Sequence, residues 1–96
     1  MNRQDILSTL ISLKAEIKDR YFVRKIGLFG SVARGDSNEK SDIDLLVEFD
    51  RPVSLITFLR LESFLSEHLG RKVDLVTPDT LKPVISQEIL SEAIYV

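Results

Sequence analysis

The stretch GLFGSVARGDSNEKSDIDLLVEF, residues 27–49, joins a glycine–serine turn to two closely spaced aspartates that precede an apolar run. Residues 25–30 predict a short strand that ends at glycine, after which the chain opens a brief helical turn and then a polar loop. Residues 42–49 predict an almost wholly apolar strand, as is typical of the centre of a sheet. Because the loop at 35–41 is shorter than a parallel crossover requires, we expect these two strands to be antiparallel.

The flanking segments alternate between helix and strand. Apolar residues recur at helical spacing in 5–19, with Asp5 near the start, and in 55–69, which Ser54 precedes and Gly70 follows. A third strand is predicted at 71–77, a last helix over 78–94, which tolerates Pro83 only in its first turn, and a short terminal strand after it. This order predicts a single α+β domain over 1–96, a layered α/β arrangement in which helices flank a small mixed sheet.

Composition excludes several classes of function. The chain has 96 residues, a formal net charge of −2 and no cysteine, which argues against an extended nucleic-acid surface and against disulfides or zinc–thiolate sites. Asp5 interrupts any signal-peptide core, and no apolar run approaches the ~20 residues of a membrane span. We therefore expect a cytoplasmic protein that does not contact membranes.

Carboxylates are the main candidates for chemistry. Asp42 and Asp44 are two apart on a predicted strand and are expected to share a face, and Asp74 lies on the third strand. If the third strand neighbours the second, the three carboxylates converge at one edge of the sheet. Like charges that close raise one another's pKa unless a cation neutralises them. Oxygen ligands of this kind suit Mg²⁺, and we expect two ions in a site that binds triphosphate oxygens and activates a hydroxyl.

The glycine–serine turn offers the complementary groups. Gly30 permits close approach of a phosphate to the backbone, and the following helical turn presents N–H groups together with the Ser31 hydroxyl. Arg34, one turn later, is a further candidate for phosphate binding. Together, the two halves predict a cleft that holds a nucleoside triphosphate for in-line attack.

These residues resemble a known family. Gly30-Ser31, ten residues, and then Asp42-Ile43-Asp44 form the G-S-x10-D-x-D pattern of the DNA polymerase β-like nucleotidyltransferase superfamily. With SDIDLLVEF and KVDLVTPDTLKP, the chain closely resembles the minimal nucleotidyltransferases, or MNT domains. The resemblance implies a polymerase β-like fold and transfer of AMP from ATP to an acceptor with release of pyrophosphate. It also implies that Asp42 and Asp44 bind Mg²⁺ and that Asp74 assists in metal binding or in deprotonating the attacking hydroxyl, while Gly30 and Ser31 hold the triphosphate.

The resemblance further implies a partner. Minimal members are commonly paired with a small helical HEPN-domain protein, typically an RNase toxin, and members of this kind act as antitoxins that adenylylate a tyrosine of that toxin. Larger superfamily members have a second helical domain, for which 1–96 has no room, so base choice and acceptor geometry are expected to come from a partner, a second copy in a homo-oligomer, or a shallow pocket. Two alternatives stay open: a non-catalytic binding module that neutralises its partner by docking, and an adenylyltransferase that modifies a small molecule.

Two further parts of the sequence, a polar loop and a fourth carboxylate, are interpreted separately. Residues 37–40 predict a solvated loop able to close over a nucleotide. Glu48 lies further along the second strand than the two aspartates and is interpreted as structural.

Overall fold

The computed structural model describes residues 1–36, 40–81 and 83–96. Helices and strands alternate along the chain, and one α-helix and a 3₁₀ turn are much shorter than the other helices. They are, in order, α1 (Arg3–Tyr21), β1 (Val23–Phe29), α2 (Gly30–Arg34), β2 (Ile43–Phe49), α3 (Leu55–Leu69), β3 (Val73–Val76), a 3₁₀ turn (Pro78–Thr80), α4 (Pro83–Glu92) and β4 (Ile94–Tyr95).

The four strands form one mixed sheet in the order β3-β2-β1-β4. β1 and β2 are antiparallel, as the short loop between them predicted, and β2 and β3 are parallel neighbours. The terminal strand β4 pairs with β1 at two positions, where Tyr95 faces Gly27 and Ile94 faces Leu28. The expected α+β architecture is confirmed.

Local sequence signals explain where the long helices begin and end. The Asn2 side chain accepts from the N–H of Asp5 and the Asp5 side chain accepts from the N–H of Asn2, a reciprocal cap that starts α1 earlier than predicted. The Ser54 hydroxyl accepts from the N–H of Thr57 at 3.2 Å and starts α3 where the sequence predicts it. Gly70 ends α3 with φ of 68°, a left-handed conformation that glycine adopts at little cost.

The core lies between one face of the sheet and the pair α1 and α3. Alternate residues of the central strands point into it, and one stripe of each long helix packs against them. The side chains with no solvent exposure in this layer include Ile6, Leu10, Ile17, Leu28, Ile43, Leu45, Val47, Leu61 and Leu65. The opposite face of the sheet carries Asp44 and Leu46, and Ala93 and Tyr95, which follow α4, lie against Gly27.

Several boundaries differ from the prediction. Residue 30 belongs to α2 rather than to the strand, because Gly30 has φ of 74° and turns the chain. The predicted strand at 42–49 begins only at Ile43, so Asp42 precedes β2. Leu55 continues the apolar spacing of α3, yet it is 71% exposed, whereas Leu61, Leu65 and Leu69 further along the helix are buried.

α4 begins at Pro83, later than the predicted start at 78, and Pro78–Thr80 forms the separate 3₁₀ turn. Pro83 thus meets the condition set for it, because a missing N–H in the first turn breaks no helical hydrogen bond. Most of the predicted lid at 37–40 lies outside the described residues. No helix in the described part of the chain combines the length and apolar composition needed to cross a membrane.

Candidate active site

The glycine–serine turn lies directly against the second motif aspartate. Phe29, the last residue of β1, pairs with Asp44 near the start of β2. The next residue, Gly30, is so close that a β-carbon built on it would lie 2.2 Å from Oδ2 of Asp44. A side chain at position 30 is therefore excluded by contact as well as by the positive φ.

The sheet also brings the third candidate acid to this position. Asp44 and Asp74 are register partners on the parallel strands β2 and β3. Side chains of aligned residues on neighbouring strands project from the same face of a sheet. The expected convergence of Asp44 and Asp74 follows from this register, and both project away from the core that α1 and α3 cover.

Asp42 reaches the same region from outside the strand. Its side chain is half-exposed, and Oδ2 lies 3.9 Å from Nζ of Lys72. The two residues are neighbours because each precedes one of the paired strands, and the N–H of Ile43 donates to the carbonyl of Lys72 at 2.9 Å. Sequence reasoning missed Lys72, although its position before β3 matches that of Asp42 before β2.

Electrostatics show that the three acids interact. Burial raises the pKa of the Asp44 carboxyl above its usual value of 3.8, and the charges of Asp74 and Asp42 raise this pKa further. The guanidinium of Arg34 opposes these effects and lowers the same pKa. Asp44 thus lies where negative charge is concentrated and partly shielded from water.

The donor set fits a hard divalent cation by its chemistry. Within residues 1–36, 40–81 and 83–96, no group of three or more acidic or histidine side chains is arranged closely enough to hold a metal ion as it stands. The three aspartates nevertheless supply carboxylate oxygens, the ligand type that Mg²⁺ prefers, and the raised pKa of Asp44 shows a local excess of negative charge that a cation would relieve.

Donor groups lie on the Gly30 side of the same cleft. The first residue of α2 is Gly30, and Phe29 before it makes no side-chain capping hydrogen bond. The first N–H groups of this helix therefore have no partner within it. The hydroxyl of the half-buried Ser31 makes no hydrogen bond within the described part of the chain, so it remains available as a donor.

Arg34 connects the turn to the last helix. Its Nε lies 3.4 Å from Oδ2 of Asp36, and its Nη1 lies 3.7 Å from Oε2 of Glu92 in α4. Both contacts are long and solvent-exposed, so they hold the guanidinium only weakly. The contact with Glu92 places the end of α4 beside the cleft, which the sequence alone did not indicate.

Glu48 has the structural role that its position suggested. Its Oε1 accepts a hydrogen bond from Nη2 of Arg24 at 2.9 Å, which links β2 to β1 at the end of the sheet away from Asp44. Glu48 therefore links two strands, whereas Asp44 and Asp74 are register partners beside the Gly30 turn.

Comparison with known proteins gives consistent matches. A family model described as a nucleotidyltransferase domain matches residues 10–96. The protein adenylyltransferase MntA of Thermococcus cleftensis is 44% identical over 93 residues, which span 97% of this chain and 94% of that protein.

Solved structures share the fold. A chain described as a candidate minimal nucleotidyltransferase has a TM-score of 0.84 and 34% identity, covering 98% of this chain and 95% of that one. A chain of a toxin–antitoxin complex with AMP-PNP has a TM-score of 0.71 and 26% identity, covering 99% and 72%. At 24% identity and a TM-score of 0.69, a chain of the Shewanella oneidensis complex of a tri-AMPylated HEPN toxin with its MNT antitoxin, covering 97% and 70%, shows likeness of fold alone.

Proposed function

Because this chain belongs to the nucleotidyltransferase domain family, we propose that it transfers AMP from ATP to a hydroxyl of a partner protein and thereby acts as an antitoxin. The observation that carries the proposal is the contact between the Gly30 turn and Asp44, together with the register of Asp44 and Asp74. This contact puts the candidate phosphate-binding donors next to acidic oxygens, as the proposed reaction needs.

The reaction is an in-line displacement at the α-phosphorus of ATP. A lone pair of the acceptor hydroxyl oxygen forms a new bond to that phosphorus, and the bond between the α-phosphorus and the oxygen bridging to the β-phosphate breaks. Pyrophosphate leaves with the electron pair of that bond. The hydroxyl proton passes to a carboxylate or to water, and we assign Asp74 as the candidate acceptor, as the family resemblance implies.

This chain's residues provide positioning and charge. The backbone at Gly30 and the Ser31 hydroxyl would orient the triphosphate, and Arg34 would exchange its weak contacts with Asp36 and Glu92 for a phosphate oxygen. Asp42, Asp44 and Asp74 would hold Mg²⁺, which as a bound ion neutralises phosphate charge and lowers the pKa of a coordinated hydroxyl.

The partner that fits best is a HEPN-domain toxin, and the acceptor is a tyrosine hydroxyl. Support comes from the MntA relative, a named protein adenylyltransferase of almost the same length, and from toxin–antitoxin complexes with the same fold. The resemblance of Gly30-Ser31 and Asp42-Ile43-Asp44 to the motif of minimal nucleotidyltransferases also supports a HEPN-domain partner. A cytoplasmic location stays a prediction.

A second candidate is neutralisation by docking alone. It is favoured by an apolar patch on α3, formed by Leu55, Ile56 and Leu59, which lies on the core side of the sheet and away from the carboxylates. A partner bound there would be sequestered without reaching the cleft. No observation on this chain favours a small-molecule acceptor.

The test is incubation of the purified chain with ATP, Mg²⁺ and the product of the neighbouring reading frame, the proposed HEPN-domain partner, followed by intact mass measurement of both proteins. A mass increase of one or more AMP units on the HEPN protein is expected, together with loss of its toxicity. Absence of any added AMP, under conditions where the two proteins form a complex, would refute the transfer reaction.

Asp44→Ala separates chemistry from docking. We expect this variant to bind the HEPN protein but to leave it unmodified and toxic. Full protection of cells by Asp44→Ala would instead establish that docking suffices.

A further inference from the structure

Arg71 lies two residues before β3 and contacts the backbone just before β2. Its guanidinium donates from both Nε and Nη2 to the carbonyl oxygen of Ser41, with Nε at 3.1 Å, and these hydrogen bonds are partly buried. A longer contact of 3.5 Å joins Nη1 to the carbonyl of Met1. Since Arg71 and Ser41 are 30 residues apart in sequence, the guanidinium ties together two separate segments of the chain.

Ser41 is the residue before Asp42, the motif acid that precedes β2. The carbonyl of Ser41 and the N–H of Asp42 belong to one planar peptide unit, so fixing the carbonyl oxygen fixes the plane that enters Asp42. The plane that leaves Asp42 includes the N–H of Ile43, which donates to the carbonyl of Lys72 at 2.9 Å. Hydrogen bonds thus hold both peptide planes around Asp42, and the direction of its Cα–Cβ bond follows from those planes.

Asp42 needs this support more than the other two acids do. Asp44 and Asp74 are register partners within paired strands, whereas Asp42 lies outside the strand and its side chain is 47% exposed. Its contact with Lys72 is 3.9 Å long and involves an ammonium group on a side chain that is 79% exposed, so this ion pair holds the carboxylate only weakly. The backbone anchor at Ser41 is therefore the stronger constraint on where the Asp42 carboxylate lies.

Arginine suits this role by its shape as well as by its charge. A guanidinium presents its N–H groups in a fixed planar fork, and a carbonyl oxygen has two lone pairs with which to accept two of them. Hydrogen bonds from a charged donor are also stronger than those between neutral groups. A lysine would carry the same charge without the fork, so it would not fix the orientation of the Ser41 carbonyl in the same way.

We propose that Arg71 is a positioning residue, which sets the Asp42 carboxylate for Mg²⁺ binding by holding the peptide between Ser41 and Asp42. This inference rests on the proposed function, in which Asp42 is a metal ligand. Positive charge at residue 71 would by itself have the opposite effect, because a cation beside the acids repels a second cation. Loss of positioning and loss of charge therefore change the affinity for Mg²⁺ in opposite directions.

The test measures the Kd of Mg²⁺·ATP by isothermal titration and the urea midpoint in EDTA for each variant. Arg71→Gln should raise this Kd by about tenfold, the lower end of the loss in metal affinity that follows removal of a group orienting a metal ligand. A purely structural role would lower the urea midpoint and leave the Kd of the folded protein unchanged. Arg71→Lys keeps the charge without the fork, and we expect its Kd to lie closer to that of Arg71→Gln than to that of the wild type.

Lys72→Gln is the matched control, because it removes the same charge from the next residue and leaves the backbone anchor at the carbonyl of residue 72 in place. We expect this variant to bind Mg²⁺·ATP as tightly as the wild type or more tightly, since the ammonium of Lys72 competes with the metal for the Asp42 carboxylate.

The proposal is overturned if Arg71→Gln binds Mg²⁺·ATP at least as tightly as the wild type, if Arg71→Lys restores wild-type affinity in full, or if Lys72→Gln weakens binding to the same extent. Should Arg71→Gln fail to fold, Arg71→Lys alone decides. A wild type that does not bind Mg²⁺·ATP would overturn both this proposal and the proposed function. A tenfold loss in Arg71→Gln, with a wild type that transfers no AMP to the product of the neighbouring reading frame, would refute the transfer reaction and leave the role of Arg71 standing.

Discussion

The α-carbon of Gly30 faces the carboxylate of Asp44 so directly that a β-carbon there would lie 2.2 Å from Oδ2. The turn that would bind phosphate and the acid that would bind metal are therefore in contact before any ligand arrives. The positions of these two groups are fixed by the pairing of β1 with β2, in which Phe29 faces Asp44.

Gly30→Ala is expected to lower stability and abolish binding of Mg²⁺·ATP, because the new methyl group must displace Asp44. The matched control is Gly35→Ala, since Gly35 also has a positive φ, of 80°, but a β-carbon built on it has no atom of the described residues within 4 Å, its chain neighbours aside. Backbone strain alone costs about 1–2 kcal/mol at either position. Urea unfolding and the thermal shift with Mg²⁺·ATP measure both effects, and equal losses in the two variants would contradict the proposed contact.

A double-mutant cycle isolates the contact. Asp44→Ala removes the two closest atoms, Oδ2 and Cγ, and leaves the Asp44 β-carbon at 3.1 Å. Gly30→Ala should therefore cost less in the Asp44→Ala background than in the wild type, with a coupling energy of about 1 kcal/mol.

Asp44→Asn is expected to stabilise the ligand-free protein at neutral pH. Because the folded-state pKa of Asp44 is raised above 3.8, the fold favours the protonated acid, and stability is lost as the pH rises through that folded pKa. Thermal unfolding in EDTA should show a Tm gain of a few degrees at pH 7, since about 1 kcal/mol shifts Tm by roughly 4–8 °C in a small domain and the half-buried carboxyl contributes less.

The same comparison made below the unfolded pKa should show no difference between Asp44→Asn and the wild type. Glu67→Gln removes an equal charge from an exposed site on α3 and should leave Tm nearly unchanged at both pH values. A lower Tm for Asp44→Asn at pH 7 would contradict the electrostatic account.

Asp42→Asn tests the metal assignment. Mg²⁺·ATP at a hundred times its Kd should stabilise the wild type by about 2.7 kcal/mol, and this gain should disappear in the variant and in wild type treated with EDTA. Glu48→Gln is the control, because Glu48 bonds to Arg24 rather than facing the cleft. An undiminished thermal shift in Asp42→Asn would exclude this residue as a metal ligand.

Substitutions at Arg34 and Glu92 together test the proposal that Arg34 binds a phosphate oxygen of ATP. Arg34→Gln should weaken ATP binding by about tenfold, the cost of one charged contact of roughly 1.4 kcal/mol. Glu92→Gln releases the guanidinium from its contact at 3.7 Å and should leave ATP affinity equal or higher. Isothermal titration measures both, and a weaker affinity in Glu92→Gln would show that this ion pair supports the site instead of competing with ATP.

Local signals made much of the fold predictable. Ser54 and Gly70 bracket α3 as expected, and Pro83 marks the first residue of α4, because capping and proline geometry depend on only a few neighbouring residues. The antiparallel pairing of β1 and β2 followed from loop length. The convergence of Asp44 and Asp74 needed one further assumption, that β3 pairs with β2, and the sheet confirms it.

Long-range placement was not predictable in the same way. Asp42 was placed on a strand, but the strand begins one residue later, since strand ends depend on pairing with a distant segment. Leu55 continues the apolar spacing of α3 but is 71% exposed, because spacing along a helix does not show how far the packed layer extends. The approach of Glu92 to Arg34 depends on how α4 packs beside α2, which periodicity does not encode.

The brevity of β4 has a consequence for self-association. β4 pairs with Gly27 and Leu28, and the N–H of Val96 donates to the carbonyl of Ile26, so within the described residues the outer edge of β1 has no strand partner before Ile26. That edge bears Arg24 and Lys25, with Lys14 and Lys18 beside it. Positive side chains along an open strand repel an incoming copy of the same strand, and this edge should therefore resist the addition of strands that leads to aggregation.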